Sequence, residues 1–209
     1  AGQYGAEISA LIASGADVVP SSFWGGDMAA FVLQAAPRGL FQRSKVVLTT
    51  GETGLHKLGT QIPEGTIIGA RGPFGPFAPD TELNRWLVRA YSERHKEPPT
   101  YPAYKMSQAL LGLKAAYEKA QAANGGQAPS QDQVIEAFEH LEYEGPGGTV
   151  RMALGNGHQA VMETAYGEVK HENGKAVVVN VRRYTAEQVN PPDGMQSAAW
   201  IKNDLKPVQ

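Results

Sequence analysis

Ala16-Asp17-Val18-Val19-Pro20-Ser21-Ser22, then Asp27-Met28-Ala29-Ala30-Phe31-Val32-Leu33-Gln34-Ala35, then Lys45-Val46-Val47-Leu48-Thr49, is the stretch whose reading decides the fold. The first and last pieces are short apolar runs of the length expected for buried strands. Between them Met28, Phe31, Val32 and Ala35 recur at i, i+3, i+4 and i+7, which is the stripe of an amphipathic helix. Asp27 is placed to cap that helix, and Pro37 with Gly39 to end it. Strand, helix and strand in so short a span predict a βαβ unit, hence a parallel sheet with a right-handed crossover.

Upstream, Ile8, Leu11 and Ile12 follow helical spacing between Tyr4 and Ser14, and Gly15 fits a helix stop. Downstream, Thr66-Ile67-Ile68-Gly69-Ala70 supplies a third strand. Gly72-Pro73-Phe74-Gly75-Pro76-Phe77-Ala78-Pro79 carries too much proline and glycine for a helix or a central strand and reads as a linker. Asp80 is expected to start a helix with Leu83, Trp86, Leu87, Ala90 and Tyr91 in the core. A second helix, from about Pro102 to Ala123, carries Met106, Leu110, Leu113 and Tyr117, and Asn124-Gly125-Gly126 closes it. Ser130 and Gln133 form a capping box before Val134, Ile135 and Phe138. In the last third, Gly145-Pro146-Gly147-Gly148 reads as a turn and 149–152 as a short strand. The segments 160–170 and 175–183 read as a hairpin around Glu172-Asn173-Gly174. Asn190-Pro191-Pro192-Asp193-Gly194 opens an irregular tail anchored by Trp200 and Ile201.

Composition narrows the function. Nineteen basic against 21 acidic residues, a formal charge of −2, leave no electrostatic footprint for nucleic acid or an anionic membrane. The absence of cysteine excludes disulfides, thiolate catalysis and cysteine-based metal sites. No apolar run approaches the roughly 20 residues of a membrane span. Ala1-Gly2-Gln3-Tyr4 lacks the basic and apolar regions of a signal peptide, and the chain opens straight into a helix.

In an open parallel sheet the ligand crevice lies beyond the carboxyl ends of the strands. Those positions are Phe23-Trp24-Gly25-Gly26-Asp27, Thr50-Gly51-Glu52-Thr53 and Arg71-Gly72. An aromatic, glycines and a carboxylate together suit a small polar molecule. The plainer alternative has Trp24 packing over a helix end and Glu52 merely starting a helix. Gly25-Gly26 lacks the lysine and hydroxyl of a phosphate loop. Glu52 and His56 stand four apart but do not make a metal site, and are expected to be a solvated pair. His140, His158 and His171 have no ligand-like spacing, and no G-x-S-x-G motif occurs, so nothing points to an enzyme.

Several pieces in order carry a resemblance: Gly15-Ala16-Asp17-Val18-Val19; Trp24-Gly25-Gly26-Asp27; Gln34-Ala35-Ala36-Pro37-Arg38-Gly39-Leu40; Gly51-Glu52; Pro63-Glu64-Gly65; Pro99-Thr100-Tyr101-Pro102-Ala103-Tyr104; Gly145-Pro146-Gly147-Gly148-Thr149-Val150-Arg151-Met152; and Asn156-Gly157-His158-Gln159. The chain resembles the C-terminal part of the periplasmic leucine/isoleucine/valine-binding protein family, the type I solute receptors of ABC importers. The resemblance implies an α/β type I periplasmic-binding-protein fold, a parallel sheet flanked by helices, in two lobes with the first incomplete. Residues 1–74 look like the second lobe, 75–158 like the helical part of the first, 159–183 like the return to the second, and 184–209 like a C-terminal tail.

By the same resemblance the chain binds an amino acid or related small carboxylate or aromatic solute in an interlobe cleft, without turnover and without cofactor or metal. Trp24 matches an aromatic lying against the ligand, and Glu52 a carboxylate that holds an ammonium. Phe23, Gly51 and Phe74 complete the expected ligand-binding set, with Phe23 and Trp24 together favouring an aromatic ligand. The implied partners are the small-molecule ligand, a membrane ABC permease that reads the closed form, and a missing N-terminal part of the same protein. The implied location is the periplasm. A ligand-sensing regulatory domain of the same fold is the alternative.

Overall fold

The computed structural model describes residues 2–153, 158–192 and 194–206; Ala1, Asn156, Gly157 and Asp193, named above, lie outside them. In chain order the elements are α1 (Gly5–Ser14), β1 (Val18–Ser21), α2 (Gly25–Ala35), α3 (Leu40–Arg43), β2 (Lys45–Leu48), α4 (Glu52–Leu58), β3 (Ile67–Gly69), α5 (Glu82–His95), α6 (Tyr101–Ala123) and α7 (Gln131–Phe138). They continue with β4 (Glu142–Gly145), β5 (Gly148–Ala153), β6 (Gln159–Val161), β7 (Thr164–Glu172), β8 (Lys175–Tyr184), α8 (Ala186–Val189) and α9 (Ser197–Lys202). The chain divides into two compact units, residues 1–77 with 165–183 and residues 78–164 with 184–209.

The first unit is an α/β layer built on a sheet of order β1-β2-β3-β7-β8. β1, β2 and β3 are parallel, in a register that pairs Ser21 with Leu48 and Leu48 with Ile68. Val19, Val46, Leu48 and Ile68 are buried in these strands, while Met28, Phe31, Val32 and Ala35 of α2 and Ile8 of α1 are buried in the helices. Each large apolar side chain removed from water contributes about 1.5–3 kcal/mol. Gly15 ends α1 in the left-handed conformation that glycine adopts without steric penalty.

The sheet corrects the parallel expectation in one respect: β7 runs antiparallel to β3, with Gly69 opposite Tyr166. Beyond β3 the chain leaves the unit after residue 77 and re-enters it at 165. In the antiparallel register the end of β3 and the start of β7 lie side by side. Asn173 and Gly174, both at positive φ, make the tight turn into β8. The expected first hairpin strand is broken, because 159–161 forms β6 and pairs with β5, whereas β7 joins the larger sheet.

Asp27 does not cap α2. The helix starts earlier, at Gly25, with Trp24 in the capping position and no side-chain cap. Asp27 instead accepts hydrogen bonds from Tyr4 Oη at 2.7 Å and from the Gly2 amide at 3.3 Å, tying down the N-terminal segment. Val18, expected in the core, is exposed because β1 lies at the sheet edge.

The second unit holds α5, α6, α7 and the antiparallel sheet β4-β5-β6. α5 is capped by Thr81, whose hydroxyl accepts from the Asn84 amide, rather than by Asp80, which pairs with Arg85. The Ser130–Gln133 capping box forms as the sequence indicates. On α6 the buried face is Tyr104, Gln108, Gly112, Ala116 and Ala120. Ala116 and Ala120 pack with Ala137 and Leu141, against Val134, Phe138 and Tyr143. Of the expected α5 stripe only Leu87 is buried, and Trp86 is 54% exposed. Met106, Leu110, Leu113 and Tyr117 are exposed as well. Trp200 is buried, but Ile201 is exposed.

Gly167 in β7 is a close-approach position: a Cβ there would overlap Val178 Cγ1 and stand 3.0 Å from the Val179 carbonyl oxygen. Gly26, in the first turn of α2, faces open space. Gly167→Ala is expected to destabilise by about 1–3 kcal/mol through overpacking. Gly26→Ala is expected to be neutral or stabilising by up to about 1 kcal/mol. Urea denaturation of both variants checks the contrast.

Candidate functional site

The matched register of β1, β2 and β3 brings their carboxyl ends level, so three turns emerge side by side at one edge of the first unit. Two of these turns are joined. The Thr50 hydroxyl, fully buried, donates to the Phe23 carbonyl at 2.6 Å. One residue back, the Thr49 amide donates to the Ser21 carbonyl at 3.0 Å. These bonds hold the Phe23–Trp24 turn against the turn that leads into α4.

Glu52 is the first residue of α4 and is only 3% exposed, with Oε2 sealed from solvent. Helix N-termini carry partial positive charge, which favours a carboxylate at this place. The sequence reading expected Glu52 and His56 to be a solvated pair; His56 is exposed, but Glu52 is buried in the first turn of α4. Gly75 approaches the same carboxylate, since a Cβ there would lie 3.8 Å from Glu52 Cδ and Oε2. Its φ of +56° also favours glycine.

Trp24 is 59% exposed beside this turn. Phe23 lies in an aromatic cluster, 4.9 Å from Tyr4 and 5.8 Å from Phe31 between ring centroids. Its ring is thus half engaged in packing, which leaves Trp24 the more exposed aromatic of this turn. Gly51 is a packing glycine: a Cβ would stand 2.5 Å from Ile68 Cγ2 and 3.2 Å from Leu48 Cβ. Phe74 is fully buried, with its ring against Gly72. The sequence reading placed Thr50 in a strand-end turn without giving it a role, and passed over Gly75 and Tyr166 as site residues. Tyr166 lays its ring over Gly69 at the end of β3, where a Cβ would meet Cε1 at 2.6 Å. Of these, only Thr50 carried a signal, a hydroxyl immediately after a strand.

A separate cavity of about 380 Å³ in the second unit is lined by Gly147, Thr149, Arg151, Glu163 and Glu187 among others. Arg151 there is bonded to Glu187 at 2.5 Å, so its charge is already matched. Among the described residues no three His, Asp or Glu side chains are grouped to hold a metal.

The sequence matches the family described as periplasmic binding protein over residues 1–175, and the chain belongs to that family. It is similar in fold to a solute-binding protein of an ABC transporter from Rhodopseudomonas palustris BisB5, solved with 3,4-dihydroxybenzoic acid. That match has 19% identity and a TM-score of 0.69, and covers 88% of this chain and 49% of that one. An amino acid ABC transporter substrate-binding protein from Pseudomonas fluorescens Pf-5 matches at 25% identity and TM-score 0.64, over 87% of this chain and 48% of that one. A branched-chain amino acid transporter protein from Rhodopseudomonas palustris CGA009 matches at 18% identity and TM-score 0.64, over 93% and 51%. The chain thus spans about half the length of these structures. No curated protein matches it.

Two measurements test the site's framework. Thr50→Val leaves the Phe23 carbonyl without its donor, at an expected cost of about 1–3 kcal/mol. Thermal melting, with faster amide exchange at residues 22–26, reads it. The Tyr4 hydroxyl, and then the Gly2 amide, hold the Asp27 carboxyl below its ordinary value of 3.8. A depressed carboxylate stabilises the fold above its unfolded pKa, and that contribution disappears as pH falls through the folded value. Protection of the amides over residues 4–8, taken relative to their intrinsic exchange rates, is therefore expected to fall below about pH 4, and Asp27→Asn to remove that pH dependence.

Proposed function

We propose that the protein is the extracytoplasmic solute-binding component of an ABC importer and that the first unit, its second lobe, supplies one half of the ligand site. The observation that carries this reading is the buried carboxylate of Glu52 at the strand-end edge, beside the exposed ring of Trp24. A carboxylate held out of water forms a strong and selective charge-assisted hydrogen bond with an ammonium or another donor. Trp24 offers a flat wall for the apolar part of the ligand, and Phe23, Gly51 and Phe74 complete the proposed set of ligand-binding residues. The reading is one of binding without turnover. The partners it implies are the small solute, a membrane permease, and an N-terminal part of the same protein bearing the other half of the site. The place of action is the periplasm, and among the described residues no helix is long and apolar enough to cross a membrane.

An amino acid and a hydroxylated aromatic acid would use these groups differently. The ammonium of the former pairs with Glu52, whereas the latter presents a neutral hydroxyl to it and a larger ring to Trp24. Calorimetric titration of the full-length protein with both classes separates them. For an amino acid ligand, Glu52→Gln is expected to weaken binding about 10- to 100-fold, as removal of a hydrogen bond to a charged group does. For an aromatic acid Trp24→Ala is expected to be the more damaging change. Binding that is indifferent to both substitutions would overturn the proposal.

A further inference from the structure

Arg71, in the turn after β3, lies outside the ligand-binding set of Trp24, Glu52, Phe23, Gly51 and Phe74. From the paired row Ser21, Leu48 and Ile68, three residues further along each strand come Trp24, Gly51 and Arg71. The arginine therefore stands level with the tryptophan, two strands away. Neighbouring strands lie about 4.8 Å apart, so the two positions are separated by about 10 Å, a gap that an aromatic ring bearing a carboxylate can bridge to a long arginine side chain.

Arg71 is the only basic residue in the turns 22–27, 49–53 and 70–77, and it is exposed. Of the two acidic residues in the same turns, Glu52 is buried, and Asp27 accepts hydrogen bonds from Tyr4 and Gly2. The backbone supplies an independent observation. Arg71 has φ +53°, a left-handed conformation that glycine adopts freely and a residue with a side chain adopts only at a cost. Non-glycine residues kept in such conformations cluster at binding sites, where the role of the side chain offsets the strain. A guanidinium is planar and permanently charged, and its paired N–H donors match the two oxygens of a carboxylate.

We infer that Arg71 is the specificity-determining residue for the charged end of the solute: it receives the carboxylate while the apolar body lies against Trp24, so the site takes carboxylic acids in preference to their neutral amides. This deepens the functional proposal and rests on it for the use of this edge as a ligand site. An amino acid and a hydroxylated aromatic acid both carry that carboxylate, and the amino acid adds the ammonium that pairs with Glu52.

Calorimetric titration of the full-length protein with p-hydroxybenzoate and p-hydroxybenzamide, and with leucine and leucinamide, reads this residue directly. The wild type is expected to bind one of the acids at least about tenfold more tightly than its amide, as a charge-assisted hydrogen bond implies. Arg71→Gln is expected to weaken that acid about 10- to 100-fold and to leave the amide unchanged, so that the preference disappears. Arg71→Gly is expected to lose the preference as well, yet to melt above Arg71→Gln, because glycine takes the +53° conformation without strain. That variant separates a lost contact from a damaged fold. An acid preference that survives Arg71→Gln, its absence from the wild type, or equal weakening of acid and amide in both variants would overturn the inference. Where Glu52→Gln or Trp24→Ala still weakens binding in such a case, the site stands and only the role of Arg71 falls. Where none of the probes binds, both fall.

Discussion

Parallel pairing of β1, β2 and β3 in level register is the constraint from which the rest of the first unit follows. Because the strands end together, their turns share one edge, and Thr50 can reach the Phe23 carbonyl from the neighbouring turn. Because that bond is buried, it is strong where water cannot compete, and its loss would strand an acceptor. Glu52 begins its helix two residues later and is carried inward by the same bend. The placement of Trp24 and Glu52 is thus a consequence of strand register.

Packing around this edge shows how glycine is used where side chains must close. Gly51 lets Ile68 and Leu48 pack under the turn, and Gly75 brings a backbone loop against the Glu52 carboxylate. Gly69 accepts the ring of Tyr166 from the antiparallel strand β7. The result is a shelf with one open aromatic ring and one enclosed carboxylate, the groups on which the proposed binding of a small solute rests.

Much of this fold was legible in the sequence because its signals are local. The valine-rich runs at 18–21 and 45–48, the stripe Met28-Phe31-Val32-Ala35, the stop at Gly15 and the Ser130–Gln133 box depend only on near neighbours, and each corresponds to an element or cap. Asp27 was misjudged because its partner Tyr4 lies 23 residues away, beyond the reach of capping rules. The break between β6 and β7 was hidden for a related reason, since two strands of similar composition pair in different sheets. The apolar row of α5 was assigned to the core because periodicity reveals that a face is apolar but not what covers it. At the site, strand-end logic selected the turns containing Trp24 and Glu52. Burial separated the two residues' roles, and the supporting contacts of Thr50 and Gly75 required the three-dimensional structure.

Titration of the isotope-labelled full-length protein with amino acids and hydroxylated benzoic acids, followed by backbone and indole amide shifts, tests the central claim most directly. The account predicts that one class perturbs Trp24, Thr50 and Glu52 as a contiguous set at the ends of β1 and β2. Perturbations centred instead on the cavity around Arg151 and Glu187, with Trp24 and Glu52 unmoved, would contradict it.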